Sequence, residues 1–551
     1  MRSNKKENGQ YMTPPKIVNL ILDTIDYTGK KILTKKIIEP SFGDGAFLLE
    51  IISRIIKESF KEGYSSEKIE DTIKSNVFGI EKDPVFYKKA IEKISFLLFK
   101  NNLNKIDFSK NLLLGDAITE YKQFENSMDF VVGNPPYVRI HNIPKSYRNN
   151  ISDFTFSEGI QDIYVVFYEI GCSLLNENGV LGYISPNSFL KNVSQKNFRN
   201  FLIENYLISY LFDFKSSKIF RDADTYTCIC ILNNSKNRKN KNITYRTYNG
   251  FSIVCENILT HKRFKELFYN KQWCISNNKD MAFIENNQKI KSKIKDFAVV
   301  QNGIVTNKDS VYIIKAFYDK DLKHQLTDLS EFETIYFKDI DGNVREIETG
   351  ILKRCVKASK YEGKNDNTYI IFPYAAKEKN KLSCDNGKCV FNGFSPLTEE
   401  EISKKFPLAY SYLNSFKTVL LSRNIEKNKN WFLFGRSQGL QNLNNKKIVF
   451  KHIINKNQTK IVVHILDPDI VVYSGLYVTI MADIATEEKN GKMVFSEEKY
   501  NKMLQKIKSV IESEQFLKYC KILGKDMSGE YVSISTKSIN NFGVNNITSS
   551  K

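Results

Sequence analysis

The segment Gly133-Asn134-Pro135-Pro136-Tyr137 concentrates the groups needed to handle a planar amine. Residues 128–132 are apolar except for Asp129 and predict a buried strand. Asn134 then sits at its carboxyl end, the edge of an open α/β sheet where ligands bind. Pro135 and Pro136 lack backbone N–H donors and hold φ at about −65°. The turn is therefore stiff and rich in acceptors, with the ring of Tyr137 beside it. An aromatic amine is a poor nucleophile because its lone pair is delocalised into the ring. Two acceptors on its hydrogens draw the nitrogen toward a tetrahedral geometry and stabilise the positive charge of attack, and in-line proximity supplies much of the rate. A Pro-Pro turn with a tyrosine packed on a sheet also occurs as a plain loop, so the turn alone leaves both readings open.

Further residues of the same kind precede it. Gly43 and Gly45 close one strand and open a helix, where small residues let a ligand approach the backbone at a helix amino terminus. Glu81 ends the next strand, placed to take the two hydroxyls of a ribose. Asp116 ends the third, placed to accept from an adenine amino group. Each acid alone also fits a helix cap or a solvated turn. Their succession at strand ends, in order, followed by Asn134-Pro-Pro-Tyr at the fourth, is poorly explained by chance.

The elements that must position these groups alternate. Ile37-Ile38 leads into a helix from Ala46 to about Phe60; Asn76–Ile80 is followed, after Pro84, by an amphipathic helix to about Lys100. Leu112–Leu114, Met128–Val132, a helix from Asp162 to Leu175, Gly179–Ser185, Tyr206–Phe214 and Tyr226–Leu232 complete the pattern. Strands alternating with helices predict a parallel doubly wound α/β sheet, its last two strands an antiparallel edge. The Lys/Asn-rich stretch 233–242 predicts a junction between a domain of residues 1–240 and an α+β domain of residues 241–551. In the second part, strands are expected at 311–314, 369–372, 447–450, 461–465 and 471–478, with helices near 398–421 and 495–520.

At 551 residues the chain is too long for one core. It has no apolar run long enough to span a membrane, no secretory h-region at its amino terminus, and no cysteine framework, a pattern that predicts a cytoplasmic protein. The formal charge is +20, with +5 in residues 1–240 and +15 in residues 241–551. Such an asymmetry predicts a polyanionic partner for the second part. Cys384 and Cys389 bracket Asp-Asn-Gly without a second ligand pair, so a turn rather than a metal site is expected.

The set resembles the S-adenosyl-L-methionine-dependent N6-adenine DNA methyltransferases of the TaqI-like gamma class, over residues 11–232. Tyr11-Met-Thr13-Pro-Pro15 is similar to the class's amino-terminal cofactor motif, which lies ahead of its glycine loop. Glu39-Pro-Ser41-Phe-Gly43-Asp-Gly45 resembles motif I, Gly79-Ile-Glu81 motif II, Gly115-Asp116-Ala117 motif III and Asn134–Tyr137 motif IV. The resemblance implies a Rossmann-like class I methyltransferase fold followed by a target-recognition domain. It implies that Thr13, Glu39 and Ser41 contact the methionine part of the cofactor, that Glu81 holds the ribose, that Asp116 and Ala117 hold the adenine ring, and that Pro135 lies near the sulfonium. Asn134 and the Pro135 carbonyl would accept from the target amine, Tyr137 would stack on the base, and Phe220 aligns with the residue stacking its other face. Without that resemblance, Phe220 reads equally as a loop aromatic covering the sheet edge.

Duplex DNA is the implied partner of a monomeric enzyme with no membrane association, and a cognate restriction endonuclease would be encoded separately. No nuclease signature is read, and the chain starts close to the cofactor motif. The polar loop from Arg139 to Gly159, with Lys145 and Arg148, is expected to face DNA, and Arg354, Arg436 and Lys451 are candidate DNA contacts among the basic and aromatic residues that follow. An N4-cytosine DNA methyltransferase is the nearest alternative. A ribosomal-RNA or protein-glutamine methyltransferase is another, and a non-catalytic specificity subunit a third.

Overall fold

The computed structural model describes residues 12–545 except 153, 155–161, 206, 221–224, 236–241, 270, 325–327, 365–366, 377–381, 386–387, 392, 424–429, 437, 441, 490–491 and 528–529. The chain divides into two compact units, Met1–Met281 and Ala282–Lys551.

The first unit is built on one nine-stranded sheet. In chain order its strands are β1 (Ile37–Glu39), β2 (Val77–Glu81), β3 (Leu112–Leu114), β4 (Met128–Gly133), β5 (Leu175–Pro186), β6 (Ile208–Asp213), β7 (Thr227–Asn233), β8 (Asn242–Asn249) and β9 (Ser252–Thr260). Their order across the sheet is β3-β2-β1-β4-β5-β7-β6-β8-β9. The first five run parallel. β7 lies antiparallel between β5 and β6.

Alternate residues of these strands feed separate cores on the two faces, as a pleated strand requires. Ile37, Phe130 and Val132 join one face with α1 (Pro15–Thr24), α2 (Ala46–Lys61), α3 (Ser66–Asn76) and α4 (Pro84–Lys100). Ile38, Met128 and Val131 join the other, with α6 (Tyr164–Leu174), α7 (Lys196–Glu204) and α8 (His261–Phe268). The excursion between β4 and α6 contains α5 (Lys145–Ser152).

Local chemistry sets the helix starts. Pro15 occupies the first turn of α1, where its missing N–H leaves no bond unmade. Asp83 caps α4 by accepting from Val85 N at 2.8 Å, with Pro84 at the first helical position.

Two expectations are corrected here. The first unit extends to residue 281, not 240, because the segment after the Lys/Asn-rich stretch contributes β8, parallel to β6, and its hairpin partner β9. For the same reason β6 and β7 are an antiparallel pair inside the sheet rather than its edge. The composition of residues 233–242 marked a loop between strands of one sheet.

The second unit is α+β. One sheet has the order β10 (Ala298–Asn302), β17 (Leu476–Ile480), β14 (Lys447–Phe450), β15 (Val463–Leu466); another has β11 (Ile313–Lys315), β13 (Thr368–Ile371), β12 (Leu352–Lys357), β16 (Val471–Tyr473). Helices α9 (Glu399–Lys405), α10 (Pro407–Ser415) and α11 (Lys417–Leu421) pack on the core of the second sheet; α12 (Glu497–Glu512) and α13 (Glu514–Leu523) pack on that of the first.

The single strand expected at 471–478 is split between the two sheets. The break falls at Ser474 and Gly475, with φ of 49° and 122°. A Cβ on Gly475 would stand 2.8 Å from Ala358 Cβ, so both the backbone conformation and the space demand glycine. Residues 309–312 form a helical turn ahead of β11 rather than a strand. Cys384 and Cys389 are facing positions in a hairpin, in keeping with a turn.

A fragment ending at residue 281 is expected to unfold cooperatively. One ending at 240 exposes the edge of β6 and the core around buried Ile243, Tyr245 and Phe264, and is expected to lose the cooperative transition by circular dichroism or calorimetry. Equal melts for the two fragments would show that β8 and β9 are dispensable.

Candidate active site at the carboxyl edge of β1 to β4

The sheet order reverses between β1 and β4: from β1 the chain moves out to β2 and β3, then returns to β4 on the opposite side. Crevices outside such a switch point are the binding sites of open α/β sheets. Glu39, Glu81, Asp116 and Asn134 all lie at strand ends on this edge.

Glu39 ends β1 and is 3% exposed. Its Oε2 has no hydrogen-bond partner among the described residues. Burial, with Glu81 and Asp44 nearby, holds its carboxyl well above the ordinary carboxylate range, while the Leu48 N–H of α2 opposes the shift.

Glu81 ties the glycine turn to the end of β2. Its Oε2 accepts from Gly43 N at 2.7 Å and its Oε1 from Asp83 N at 2.8 Å. Burial raises its pKa too, against those N–H bonds. Gly43 and Gly45 have φ of 54° and 87°, and Gly45 caps α2 in the left-handed conformation. A Cβ built on Gly43 meets nothing within 4 Å, so the turn borders open space. Ser41 is half-buried in the same turn. Asp44 is removed from the site by an ion pair with Lys93 of α4.

Asp116 caps a single helical turn that begins at buried Ala117, accepting from Ile118 N at 3.0 Å. It also pairs with Lys82 Nζ at 2.9 Å and accepts from the Tyr147 hydroxyl.

At the reactive turn, Asn134 Nδ2 donates to Thr13 Oγ1 at 3.2 Å, which directs the amide's oxygen as its acceptor end. Thr13 is buried, as is Pro135; Pro136 and Tyr137 are half-buried. Tyr137 and Phe220 are in contact, with ring centroids 6.2 Å apart and planes at 79°. The two rings thus meet edge to face, and not as parallel plates. Phe220 is 4% exposed.

The described residues of the loop expected to face DNA pack in part on the body of the unit. Arg139 and Asp162 form an isolated antiparallel bridge, and Ile163 N donates to Val138 O at 2.9 Å, so the excursion begins and ends at one place. Ile143, Ile151 and Phe154 are buried in the same core as Ile118. Arg139 is exposed, whereas Arg148 is half-buried with Nε donating to the Ile143 carbonyl at 3.1 Å. Tyr11 and the side chain of Lys145 lie outside the described residues.

In the second unit Arg354 lies on β12, with an Nε that finds no partner among the described residues. Arg436 is exposed beside its backbone bridge to Val305. Lys451 follows β14 and pairs with Glu362 at 3.1 Å. Tyr147 was expected only as part of the DNA-facing loop, and neither it nor Lys82 was foreseen as a partner of Asp116. Lys82 is signalled only by its place after Glu81, and Tyr147 meets Asp116 only because of how the loop folds.

The donor set suits a nucleoside joined to a cationic amino acid. Glu81 offers carboxylate oxygens to hydroxyls, Asp116 offers an acceptor, and Glu39 presents a buried oxygen with no donor among the described residues. Residues 46–220 match the Eco57I restriction-modification methylase family. The chain is 29% identical to the type II methyltransferase M.BstVI of Geobacillus stearothermophilus, over 56% of this chain and 60% of that protein. It is 25% identical to the type II restriction enzyme and methyltransferase RM.Eco57I of Escherichia coli, over 63% of this chain and 34% of that one. The chain therefore spans about a third to three-fifths of the length of these relatives. The solved structure of the type IIL restriction-modification enzyme MmeI superimposes with a TM-score of 0.63 at 13% identity, covering 98% of this chain and 69% of that one. The first unit has a Rossmann-like class I methyltransferase fold, and S-adenosyl-L-methionine is the cofactor expected of it. No helix among the described residues is long and apolar enough to cross a membrane.

A carboxyl with a raised folded pKa binds its proton more tightly folded than unfolded, so ligand-free stability falls as pH rises from its ordinary value through the folded value. Glu39→Gln is expected to flatten this slope and to raise the melting midpoint at about pH 8 by about 2–4 °C. Melting curves between about pH 6 and about pH 8 check this, and an unchanged slope would remove Glu39 as its source.

Proposed function

We propose that this chain is a site-specific DNA methyltransferase of a restriction-modification system, or a solitary one, that methylates N6 of an adenine flipped out of duplex DNA. The observation that carries the proposal is the placement of the Asn134 amide, anchored by Thr13, at the same sheet edge as Glu39, Glu81 and Asp116. The second unit is proposed as the target-recognition domain, in keeping with the excess of basic charge after residue 240. A separately encoded restriction endonuclease is the proposed functional partner, and the enzyme acts as a monomer.

When bound, S-adenosyl-L-methionine supplies a methyl group on a sulfonium, an electrophile that no amino-acid side chain offers. Glu81 would hold the ribose hydroxyls, Asp116 and Ala117 the purine, and Glu39 the ammonium of the methionine part, with Thr13 and Ser41 beside it. The Asn134 amide oxygen and the Pro135 carbonyl accept the two hydrogens of the target amine. As the nitrogen attacks, these acceptors stabilise its growing positive charge without having to reorient, because the prolines fix the turn. Flipping the base costs a few kcal/mol, and stacking on Tyr137 and Phe220 offsets about 1–3 kcal/mol per base. Since the rings now meet edge to face, Phe220 has to turn for both to stack on one base.

Purified protein incubated with labelled cofactor and genomic DNA is expected to yield N6-methyladenine; N4-methylcytosine would change the base assignment, and label in ribosomal RNA or protein alone would change the substrate. Asn134→Ala is expected to keep cofactor and DNA binding while kcat falls at least about 100-fold. Unchanged turnover would sink the proposed role. Phe220→Ala is expected to weaken binding of target duplex about 10-fold with little change for cofactor, by fluorescence anisotropy; equal affinity would leave Phe220 as packing alone.

A further inference from the structure

The excursion after the reactive turn returns to the cofactor end of the sheet, and Tyr147 of α5 makes the contact. Its hydroxyl donates to Asp116 Oδ2, the oxygen that also accepts from Lys82 Nζ at 2.9 Å. The Lys82 ammonium lies 4.0 Å from the centroid of the Tyr147 ring, so the three side chains close a triangle. Burial and the adjacent carboxylate push the Tyr147 phenol far above its ordinary range, which keeps it a donor at any working pH.

Counting lone pairs gives this triangle a consequence. A carboxylate oxygen accepts two hydrogen bonds. Oδ2 is filled by Lys82 and Tyr147, and Oδ1 has given one of its two to Ile118 N at 3.0 Å. A single acceptor position remains, on a carboxylate held from three directions. Of the three donors, Tyr147 alone comes from the excursion, whose Ile143, Ile151 and Phe154 are fixed in the core beside Ile118.

We propose that Tyr147, supported by Lys82, is a positioning residue that fixes Asp116 as a pure acceptor, and so makes the purine subsite select a 6-amino over a 6-oxo nucleoside. This rests on the assignment of the β1 to β3 edge as the S-adenosyl-L-methionine site. An aminopurine donates to the remaining lone pair. An oxopurine opposes it with a carbonyl, and the fixed carboxylate cannot rotate away. Sites built to pair a buried polar group reject an analogue that leaves it unpaired far more strongly than apolar pockets reject a change of size. Without the Tyr147 hydroxyl, one side of the clamp opens and the carboxylate gains freedom to turn.

The test is calorimetric titration of the full chain with S-adenosylhomocysteine and with its deaminated counterpart, S-inosylhomocysteine. Wild type is expected to prefer the amino form by at least about 100-fold. Tyr147→Phe keeps the ring over Lys82 and is expected to reduce that preference at least about 10-fold, with an unchanged melting temperature. Lys82→Met is expected to move it in the same direction and serves if the tyrosine variant misfolds. A preference retained in both folded variants overturns this proposal and leaves the site assignment standing. A wild-type protein that binds neither nucleoside overturns both.

Discussion

The pairing of β1 with β4 is the constraint on which both halves of the site depend. Ile37 and Ile38 lie beside Phe130 and Val131, so Glu39 and the Gly133-Asn134 turn leave the sheet side by side. A Cβ on Gly133 would come within 3.6 Å of Glu39 Cγ. The residues proposed to receive the cofactor follow β1, β2 and β3, and those proposed to receive the target follow β4. Only the reversal of strand order at β1 brings the two groups to one crevice, and the strands that make it are buried on both faces, where a change of register would move every side chain to the opposite core.

That arrangement collects acids in a place poor in water. Asp44 is paired with Lys93, and Asp116 with Lys82, but no cation among the described residues figures in the raised pKa of Glu39. A buried carboxyl answers by holding its proton, at a cost to stability as pH rises. The edge is thus less stable than it would be with neutral side chains, and the cationic amino-acid part of the proposed cofactor would supply the compensating charge. Strain of this kind at a site, compensated by close packing beneath it, is the usual trade between stability and function.

The first four strands of the sheet were legible in the sequence because their apolar runs end in residues of distinct chemistry, namely Glu39, Glu81, Asp116 and Asn134. Of the flanking helices, α2, α4 and α6 were read with them, whereas α1, α3, α7 and α8 were not. The strands and helices read there agree with the structure to within a few residues, except that β5 begins four residues earlier, at Leu175. The end of the unit was not legible. β8 and β9 follow a stretch whose lysines and asparagines resemble a linker, and only pairing with β6 makes them part of the sheet. In the second unit Val471–Val478 is one apolar run to the eye, yet Ser474 and Gly475 turn it from one sheet into another. Local composition records what a residue prefers, whereas sheet membership depends on partners far along the chain.

The excursion after the reactive turn shows the same limit at the site itself. Its polar composition suggested a solvent-facing loop, but a few apolar side chains, Ile143, Ile151 and Phe154, suffice to seat it in the core. Its ends meet at Val138 and Ile163, directly after Tyr137 and directly before α6, and its middle reaches Asp116 through Tyr147. One closed segment therefore begins at the residue proposed to stack on the target and touches the residue proposed to hold the purine of the cofactor. The two subsites are joined twice, once through the β1–β4 pairing beneath them and once through this segment above Asp116, and the second link is the one that no spacing of residues along the chain could reveal.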